Sequence, residues 1–298
     1  MRNLTPSVRL AFAAWSRRFG GTNEVFSMLS RSFAVLLLSL GLAAPAAAAQ
    51  CGGPFDGFLR QMARDAQAQG VSQSVISSAF TGLSQDPQVM AFDRRQAATF
   101  RREGNFEKFI ATRVGPARIK RAATLMQRHA ELLRRVEARF GVPKELLMAI
   151  WTMETDNGGG DMGKLPVIRT LATLAHDCRR TELFQKELIS ALKILQRGDL
   201  PPGQMVGAYA GEIGQTQFLP SSYIKYGVDF DGNGHVDLRH SVPDVLASTA
   251  NLLKTNGWRA GEPYHQGTAN FDVMREWNTS ELYRRALVLF AEKLGGNP

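Results

Sequence analysis

The 298-residue sequence has only two cysteines, Cys51 and Cys178, so it can form at most one intramolecular disulfide. It has no internal repeat and no low-complexity segment after Ala49, and the alternation typical of β-strands is scarce. Lysine and arginine never form a run with interleaved aromatic residues, which argues against nucleic-acid binding. With 44% hydrophobic and 21% charged residues, the composition is that of a globular chain with room for one large domain or two small ones.

The longest apolar stretch lies in SFAVLLLSLGLAAPAAAAQ (residues 32–50), and it is too short to span a bilayer comfortably. Arg31 precedes it and an Ala-x-Ala ending closes it, the pattern of a secretory signal peptide cleaved after Ala49. We therefore expect residues 1–49 to be removed, with residues 1–27 an over-extended start, and the mature protein to be soluble and exported, without a transmembrane segment. Lipid attachment at Cys51 is the alternative, but Gln50 disfavours it because small residues usually precede a lipid-modified cysteine.

Export would place Cys51 and Cys178 in an oxidising compartment, where a disulfide between them is the interpretation that we favour over two buried thiols. The net charge of the sequence is +9. Residues 1–49 hold five arginines and one glutamate, which leaves +5 on residues 50–298. That modest excess suits an acidic polymer or an envelope surface as a partner.

Apolar residues recur at helical spacing almost throughout the chain after residue 50, which predicts a mainly α-helical domain with few short strands. Residues 116–141 read as one continuous helical run. The next helix covers residues 143–155, with Pro143 in its first turn. Residues 258–277 show no clear period and are predicted to hold short strands or loop.

Glu154 lies in the last turn of that helix, in IWTMETDNGGG (residues 150–160). Leu147 and Ile150 precede it by seven and four positions, so its carboxylate belongs to the apolar face. Burial and the negative end of the helix both oppose ionisation, so we expect a raised pKa for Glu154. A carboxyl that is protonated near neutral pH is what general acid catalysis requires. A helix-end glutamate that faces solvent or pairs with an arginine is the alternative.

Two loops have unusual compositions. GAYAGEIGQTQFLPSSYIKYG (residues 207–227) combines glycines with amide and aromatic side chains, which suits a carbohydrate ligand, with a structural turn as the alternative. DFDGNGHVDLRH (residues 229–240) follows the spacing of an EF-hand calcium loop, except that His240 stands where a bidentate glutamate is expected. We expect a structural calcium site, with an Asx-rich turn without metal as the alternative. The expected ligands are Asp229, Asp231, Asn233, His235 through its backbone carbonyl, and Asp244.

These motifs together carry a family resemblance. GVPKELLMAIWTMETDNGGGDMGKLPVIRTLATLAHDCRR, AYAGEIGQTQFLPSSY, the calcium-type loop and NLLKTNGW resemble the membrane-bound lytic murein transglycosylase B family of bacterial cell-wall enzymes. The resemblance covers nearly all of residues 51–298, in order. It implies a lysozyme-like fold and a periplasmic enzyme, with residues 50–298 as its catalytic domain. It further implies cleavage of the β-1,4 bond between N-acetylmuramic acid and N-acetylglucosamine of peptidoglycan, with formation of 1,6-anhydromuramoyl ends.

The resemblance also implies roles for residues. The family's catalytic glutamate falls on Glu154, with Met153 in place of the usual valine. Its peptidoglycan-contacting positions fall on Arg179, Arg180, Tyr209, Gln215, Gln217, Phe218, Trp277 and Asn278. No cofactor is expected for the chemistry, and a monomer is expected. Two departures are Ala208, which replaces a serine, and Glu212, which replaces a small residue and adds a carboxylate to the loop. A hydrolytic muramidase and a non-catalytic wall-binding scaffold are the alternative functions.

Overall fold

Helices account for most of the residues that the computed structural model describes, which are 49–99 and 106–296. In chain order they are α1 (Phe55–Ala68), α2 (Gln73–Phe80), α3 (Pro87–Thr99), α4 (Phe106–Arg113), α5 (Pro116–Arg128), α6 (Ala130–Phe140), α7 (Lys144–Thr155), α8 (Val167–His176), α9 (Thr181–Arg197), α10 (Pro220–Tyr226), α11 (Val242–Thr255), α12 (Ala269–Val273) and α13 (Glu281–Leu294). Two short 3-10 turns cover Pro202–Gln204 and Met274–Glu276. The predicted mainly helical fold is confirmed.

The described strands are two residues long and lie beside the candidate site. β1 (Leu165–Pro166) and β2 (Val206–Gly207) pair antiparallel, with Leu165 opposite Gly207 and Pro166 opposite Val206. Because β1 follows α7 and β2 leads into the loop of residues 207–227, which we call the glycine-rich loop, this pairing brings the loop to the end of α7.

Helix α7 lies at the centre of the domain. Helices α5, α6, α11 and α13 all pack against it, and every residue from Leu146 to Thr155 except Glu154 is buried. A helix that is buried on nearly all sides belongs in a core rather than on a surface. Glu154 is therefore the one position in the last three turns of α7 that retains contact with solvent.

Two local predictions were wrong, and a third was right only in part. The run 116–141 is two helices, because the backbone of His129 (φ −101°, ψ 20°) leaves the helical conformation between α5 and α6. Pro143 precedes α7 in an extended conformation (φ −57°, ψ 137°) rather than lying in its first turn. Of residues 258–277, predicted as short strands or loop, 258–268 are loop, whereas the rest contains α12 and a 3-10 turn and no strand. The Thr268 side chain accepts the Phe271 N–H and so starts α12.

At its N-terminal end the described chain is tied to α9. Ala49 is buried, and its carbonyl accepts a hydrogen bond from Nε2 of Gln185 at 2.5 Å. The predicted signal region otherwise lies outside the described residues, which belong to one compact unit, Ala48–Pro298. Within that described part, none of the helices combines the length and apolarity needed to cross a membrane.

Candidate active site

Glu154 lies at the end of α7, directly before a sharp reversal of the chain. Asp156 and Asn157 adopt the left-handed conformation, with φ of 49° and 61°, which ends the helix. Arg118 of α5 holds this reversal: its Nε donates to Oδ1 of Asp156 at 2.7 Å, and its Nη2 donates to the carbonyl oxygen of Thr152 at 2.6 Å. The position of Glu154 is thus fixed by contacts from outside its own helix.

One oxygen of the Glu154 carboxylate accepts two hydrogen bonds. The hydroxyl of Tyr283 donates to Oε1 at 2.6 Å, and the indole N–H of Trp277 donates to the same oxygen at 3.2 Å. Within the described part of the chain, Oε2 has no hydrogen-bond donor. The second oxygen is therefore the one that can carry a proton for a ligand.

The electrostatic surroundings favour the protonated form of Glu154. Burial is the main cause of its raised pKa, and the negative charge of Glu212 raises the pKa further. The hydrogen bonds from Tyr283 and Trp277 and the positive charge of Arg113 act in the opposite direction. The direction agrees with the prediction from the apolar face. Burial also raises the pKa of Tyr283 well above its usual value, so this phenol keeps its proton as a donor.

Glu154 faces a cavity of about 370 Å³, a size typical of small-ligand sites. One wall is aromatic, because the rings of Phe218 and Trp277 pack edge to face with their centroids 5.5 Å apart. The residues that line the cavity are Glu154, Glu212, Thr216, Gln217, Phe218, Leu219, Ser222, Leu252, Glu276, Trp277 and Asn278. A larger cavity of about 460 Å³, beside Val75 and Ile168, has no carboxylate in its lining, so we place the chemistry at Glu154.

Gln215 attaches the glycine-rich loop to the core. Its Oε1 accepts the indole N–H of Trp151 at 2.8 Å, and its Nε2 donates to the carbonyl of Arg239 at 2.8 Å. The hydroxyl of Thr155 donates to the backbone carbonyl of Gln215 at 2.5 Å. The side chain is buried with both ends partnered, and it does not line the cavity for which the sequence predicted it.

Glycine permits two backbone segments to touch beside the site. Gly163 has φ of 79°, and a Cβ atom there would overlap the carbonyl group of Gly207. A Cβ atom on Gly207 would in turn overlap the backbone carbonyl of Glu212. The segment after α7 and the loop after β2 are therefore in direct main-chain contact.

Arg179 and Arg180 lie before α9, and both form ion pairs with Asp93 of α3. Tyr209 donates its hydroxyl to the same carboxylate. Burial works to raise the pKa of Asp93, but the hydrogen bonds from Arg179, Tyr209 and Arg180 hold it below the usual value. Asp93 is 1% exposed, whereas the arginine side chains are 34% and 38% exposed, so guanidinium surface stays accessible. We call these four residues the Asp93 cluster; it does not line the cavity of Glu154.

The loop of residues 229–240, which we call the acidic loop, and the first turn of α11 bring three carboxylates together. Oxygen atoms of Asp229, Asp231 and Asp244 lie within 4.8 Å of one another. Calcium binds oxygens at about 2.3–2.6 Å, so two ligands of one ion are up to about 5 Å apart and these three carboxylates fit calcium. The Asn233 side chain accepts the N–H of His235 at 2.9 Å and so stabilises the turn of the loop.

Cys51 and Cys178 are joined by a disulfide. The backbone of Gly52 donates to the carbonyl of His176 at 2.9 Å, so the N-terminal segment also bonds to the end of α8. Cys178 adopts the left-handed conformation, with φ of 60°, and Arg179 of the Asp93 cluster follows it directly.

Comparisons with known proteins agree with this geometry. Residues 54–268 match the family model described as Transglycosylase SLT domain. The chain belongs to this family. Membrane-bound lytic murein transglycosylase B of Escherichia coli (strain K12) is 36% identical over 157 residues, which are 52% of this chain and 42% of that relative. The matched region thus covers less than half of the length of this Escherichia coli relative.

Solved structures of two other proteins have the same fold. SltB3 from Pseudomonas aeruginosa, in complex with NAG-anhNAM-pentapeptide, superimposes with a TM-score of 0.74 and 31% identity, over 82% of this chain and 80% of that chain. Lytic transglycosylase Slt35 of Escherichia coli, in complex with calcium, gives a TM-score of 0.70 at 22% identity, over 83% and 96% of the two chains, and shows likeness of fold alone. The predicted family and its lysozyme-like transglycosylase fold are confirmed.

The structure separates the predicted substrate contacts of this transglycosylase-family chain into groups. Four of them line the cavity of Glu154, namely Gln217, Phe218, Trp277 and Asn278. The Asp93 cluster holds Arg179, Arg180 and Tyr209, and Gln215 lies in neither group. Sequence reasoning missed Tyr283 and Asp93, which contact the predicted residues from distant helices.

Proposed function

We propose that this protein is a peptidoglycan lytic transglycosylase, which cleaves the β-1,4 bond between N-acetylmuramic acid and N-acetylglucosamine and forms 1,6-anhydromuramoyl ends. The observation that carries the proposal is Glu154: its pKa is raised, and it faces a cavity with an aromatic wall. Membership of the transglycosylase family supports the proposal. So does the likeness to SltB3, whose structure contains NAG-anhNAM-pentapeptide.

In the first step Glu154 acts as a general acid. Its protonated Oε2 donates to the glycosidic oxygen as the C1–O bond breaks and positive charge develops on the muramic acid ring. The donors Tyr283 and Trp277 hold Oε1 in place and stabilise the carboxylate that forms. Hydrogen bonds to a charged acceptor are the stronger kind, so these contacts strengthen as the proton leaves.

In the second step Glu154 acts as a base. Its carboxylate accepts the proton of the C6 hydroxyl, whose oxygen forms the new bond to C1 and leaves Glu154 protonated again. No water is consumed. Because the attacking hydroxyl belongs to the same sugar, the step is intramolecular and needs no carboxylate to activate water.

The residues around Glu154 suit a glycan. Rings such as Phe218 and Trp277 pack on the faces of sugars, while the amides of Gln217 and Asn278 offer donors and acceptors to hydroxyl and acetamido groups. We also propose that Arg179 and Arg180 contact the glycan or its peptide stem. Each keeps about a third of its surface exposed, and the two positive charges exceed the single charge of Asp93.

Calcium is proposed as a structural ligand of the acidic loop, held by Asp229, Asp231 and Asp244. Bound there, the ion would supply positive charge between three carboxylates and so stabilise the loop, without a part in the chemistry. We propose further that cleavage after Ala49 releases a monomer into the periplasm. The signal-like pattern of residues 32–50 and the disulfide, which suits an oxidising compartment, support that location.

Digestion of purified peptidoglycan sacculi, followed by mass spectrometry, tests the function. The transglycosylase releases muropeptides with anhydro ends, which are lighter by one water than those of a hydrolytic muramidase. Glu154→Gln keeps the shape and the acceptor for Tyr283 but has no proton to donate, so it is expected to bind glycan and release no product. Hydrolysed ends from the wild-type protein would identify a muramidase, and binding without any release would identify a wall-binding scaffold.

A further inference from the structure

Glu212 is a second carboxylate in the cavity that contains Glu154. It lies in the loop after β2, which the β1–β2 pairing brings to the end of α7. The chemistry proposed above needs only one carboxylate, so Glu212 has no role in it. A second acidic side chain beside a buried one raises the electrostatic energy of the folded protein, so we expect its charge to have a function.

The loop fixes the side chain of Glu212 on one side. Its Oε2 accepts the backbone N–H of Ala210 at 2.8 Å, and its backbone carbonyl accepts the N–H of Ala208 at 2.9 Å. Ile213 and Phe218 exchange two backbone hydrogen bonds, of 2.8 and 3.0 Å, directly after it. Among the described residues, Oε1 has no hydrogen-bond donor. Glu212 thus has one oxygen held by the main chain and one left for a ligand.

The charges around the cavity are unbalanced. No lysine, arginine or histidine is among the described residues that line it, whereas three glutamates are. Arg113 at the end of α4 is the positive charge that acts on Glu154, while Arg118 pairs with Asp156. Tyr283 from α13 is a neutral donor, and Glu276 lies exposed at the rim. A cavity with this lining favours a ligand that gains positive charge.

A glycan ring gains such a charge as its glycosidic bond breaks, because the transition state resembles an oxocarbenium ion. Glycosidases with two carboxylates keep one as a neutral acid and the other ionised, and the difference comes from their surroundings. In this cavity Glu154 corresponds to the neutral acid, because burial of its carboxylate and the charge of Glu212 raise its pKa. The Glu212 carboxylate lines the same cavity and accepts a backbone N–H from its own loop.

We propose that Glu212 is a second catalytic carboxylate, whose negative charge stabilises the positive charge that develops on the sugar ring. This inference rests on the proposed transglycosylase function. The Glu154 proton goes to the leaving oxygen, and the C6 oxygen forms the bond to C1 and returns a proton to Glu154. Glu212 forms no bond and keeps its charge throughout.

Glu212→Gln isolates the charge, since glutamine retains the size of the side chain and an oxygen that accepts the Ala210 N–H. We expect kcat for release of anhydromuropeptides to fall by on the order of a hundredfold, the lower end of the range for loss of one electrostatic contact in an active site. KM should change by less than about threefold, because the charge acts on the transition state more than on the neutral ground state. Glu212→Asp, which keeps a charge, should recover part of the loss.

The pH profile separates this role from a structural one. With the Glu212 charge removed, Glu154 ionises more easily, so the alkaline limb of kcat should move to lower pH in Glu212→Gln but not in Glu212→Asp. Glu276→Gln removes a charge from the exposed rim, where water screens it, and should lower kcat less than Glu212→Gln does. Thermal melting of each variant reports whether the fold is retained.

The outcomes are distinguishable. If wild-type protein releases no anhydro product, the proposed function fails. If wild-type protein releases it and Glu212→Gln keeps both its kcat and its alkaline limb, only the role of Glu212 is overturned. An equal loss in Glu276→Gln would also overturn it, because the effect would then belong to the general charge of the cavity. If Glu212→Gln does not fold, kcat of Glu212→Asp decides: a value below that of wild-type protein supports the proposal, and a value equal to it overturns the role of Glu212.

Discussion

The hydroxyl of Tyr283 lies 2.6 Å from Oε1 of Glu154, although 129 residues separate the two in the chain. Trp277 donates to the same oxygen. Because both donors act on Oε1, the other oxygen is left for a ligand. Helix α13 and the turn before it therefore complete a site whose acid comes from α7.

Tyr283→Phe should lower kcat by on the order of ten- to a hundredfold, because a hydrogen bond to a charged group contributes about 1.5–3 kcal/mol. The Tyr283 hydrogen bond lowers the pKa of Glu154, so its loss raises that pKa. Since the protonated acid is the active form, the alkaline limb of activity should move to higher pH. Rates of muropeptide release across pH measure both effects.

Tyr226→Phe is the matched control, because it also removes one phenolic hydroxyl, which here bonds to Asn256 away from the cavity. It should keep both kcat and the alkaline limb of the wild-type protein. A Tyr283→Phe profile with an unmoved limb would mean that the hydroxyl does not act on Glu154 during catalysis.

The raised pKa of Glu154 also predicts how stability depends on pH. Above pH 4.5, the ordinary pKa of a glutamate, the folded protein holds the Glu154 proton more tightly than the unfolded chain does. The free energy of unfolding therefore decreases as pH rises from that value through the raised pKa. Glu154→Gln has no proton to lose over this pH range, so its Tm should exceed that of wild-type protein at pH 8 and equal it near pH 4. A difference of 1 kcal/mol in the free energy of unfolding corresponds to about 2–4 °C in Tm. An excess in Tm that is the same at both pH values would contradict the assignment.

Calcium should raise the melting temperature, because a ligand that binds only the folded state stabilises it by about 2.7 kcal/mol at a hundredfold excess over Kd. Asp244→Asn removes one of the three clustered carboxylates and should abolish most of the shift. Asp272→Asn is the control, since Asp272 is an exposed carboxylate that pairs with Arg275 outside that loop. Melting curves that ignore millimolar calcium would identify the loop as an ordinary turn.

Removal of the disulfide should destabilise the fold. Cys51 and Cys178 are 127 residues apart, and closing a loop of that length lowers the entropy of the unfolded chain by an amount worth about 5 kcal/mol at 25 °C. The double variant Cys51→Ser/Cys178→Ser should therefore have a lower Tm than oxidised wild-type protein and match reduced wild-type protein. If reduction leaves Tm unchanged, or if thiol labelling of unreduced protein finds two free thiols, the bridge does not form in solution.

The sequence predicted the acid because the cause is local. The spacing of Leu147, Ile150 and Glu154 within one helix is enough to assign the carboxylate to the buried face and to predict its raised pKa. The same reasoning could not find Tyr283. Its position in ELYRRALVLF indicates an apolar face, but which polar group that face meets depends on how α13 packs against α7.

Gln215, Arg179 and Arg180 show a second limit of the sequence, which does not reveal the internal partners of polar side chains. Amides and guanidinium groups are typical of ligand sites. Gln215, however, forms hydrogen bonds with Trp151 and with a backbone carbonyl, and both arginines are paired with Asp93. Such partners lie in other parts of the chain and leave no local pattern. The disulfide could be predicted from the count of two cysteines and the signal-like pattern, whereas no local pattern in residues 116–141 indicated the break at His129.

The contact between Gly163 and Gly207 limits which features of the active-site cleft amino-acid substitutions can change. Two main chains already in contact cannot approach further, and any side chain at either position would push the walls of the cleft apart. The width of the cleft is consequently a property of the backbone. Relatives that prefer different glycans within this framework would have to differ in the side chains that face the cavity, such as Glu212, Leu219 and Ser222, rather than in the spacing of the loops that carry them.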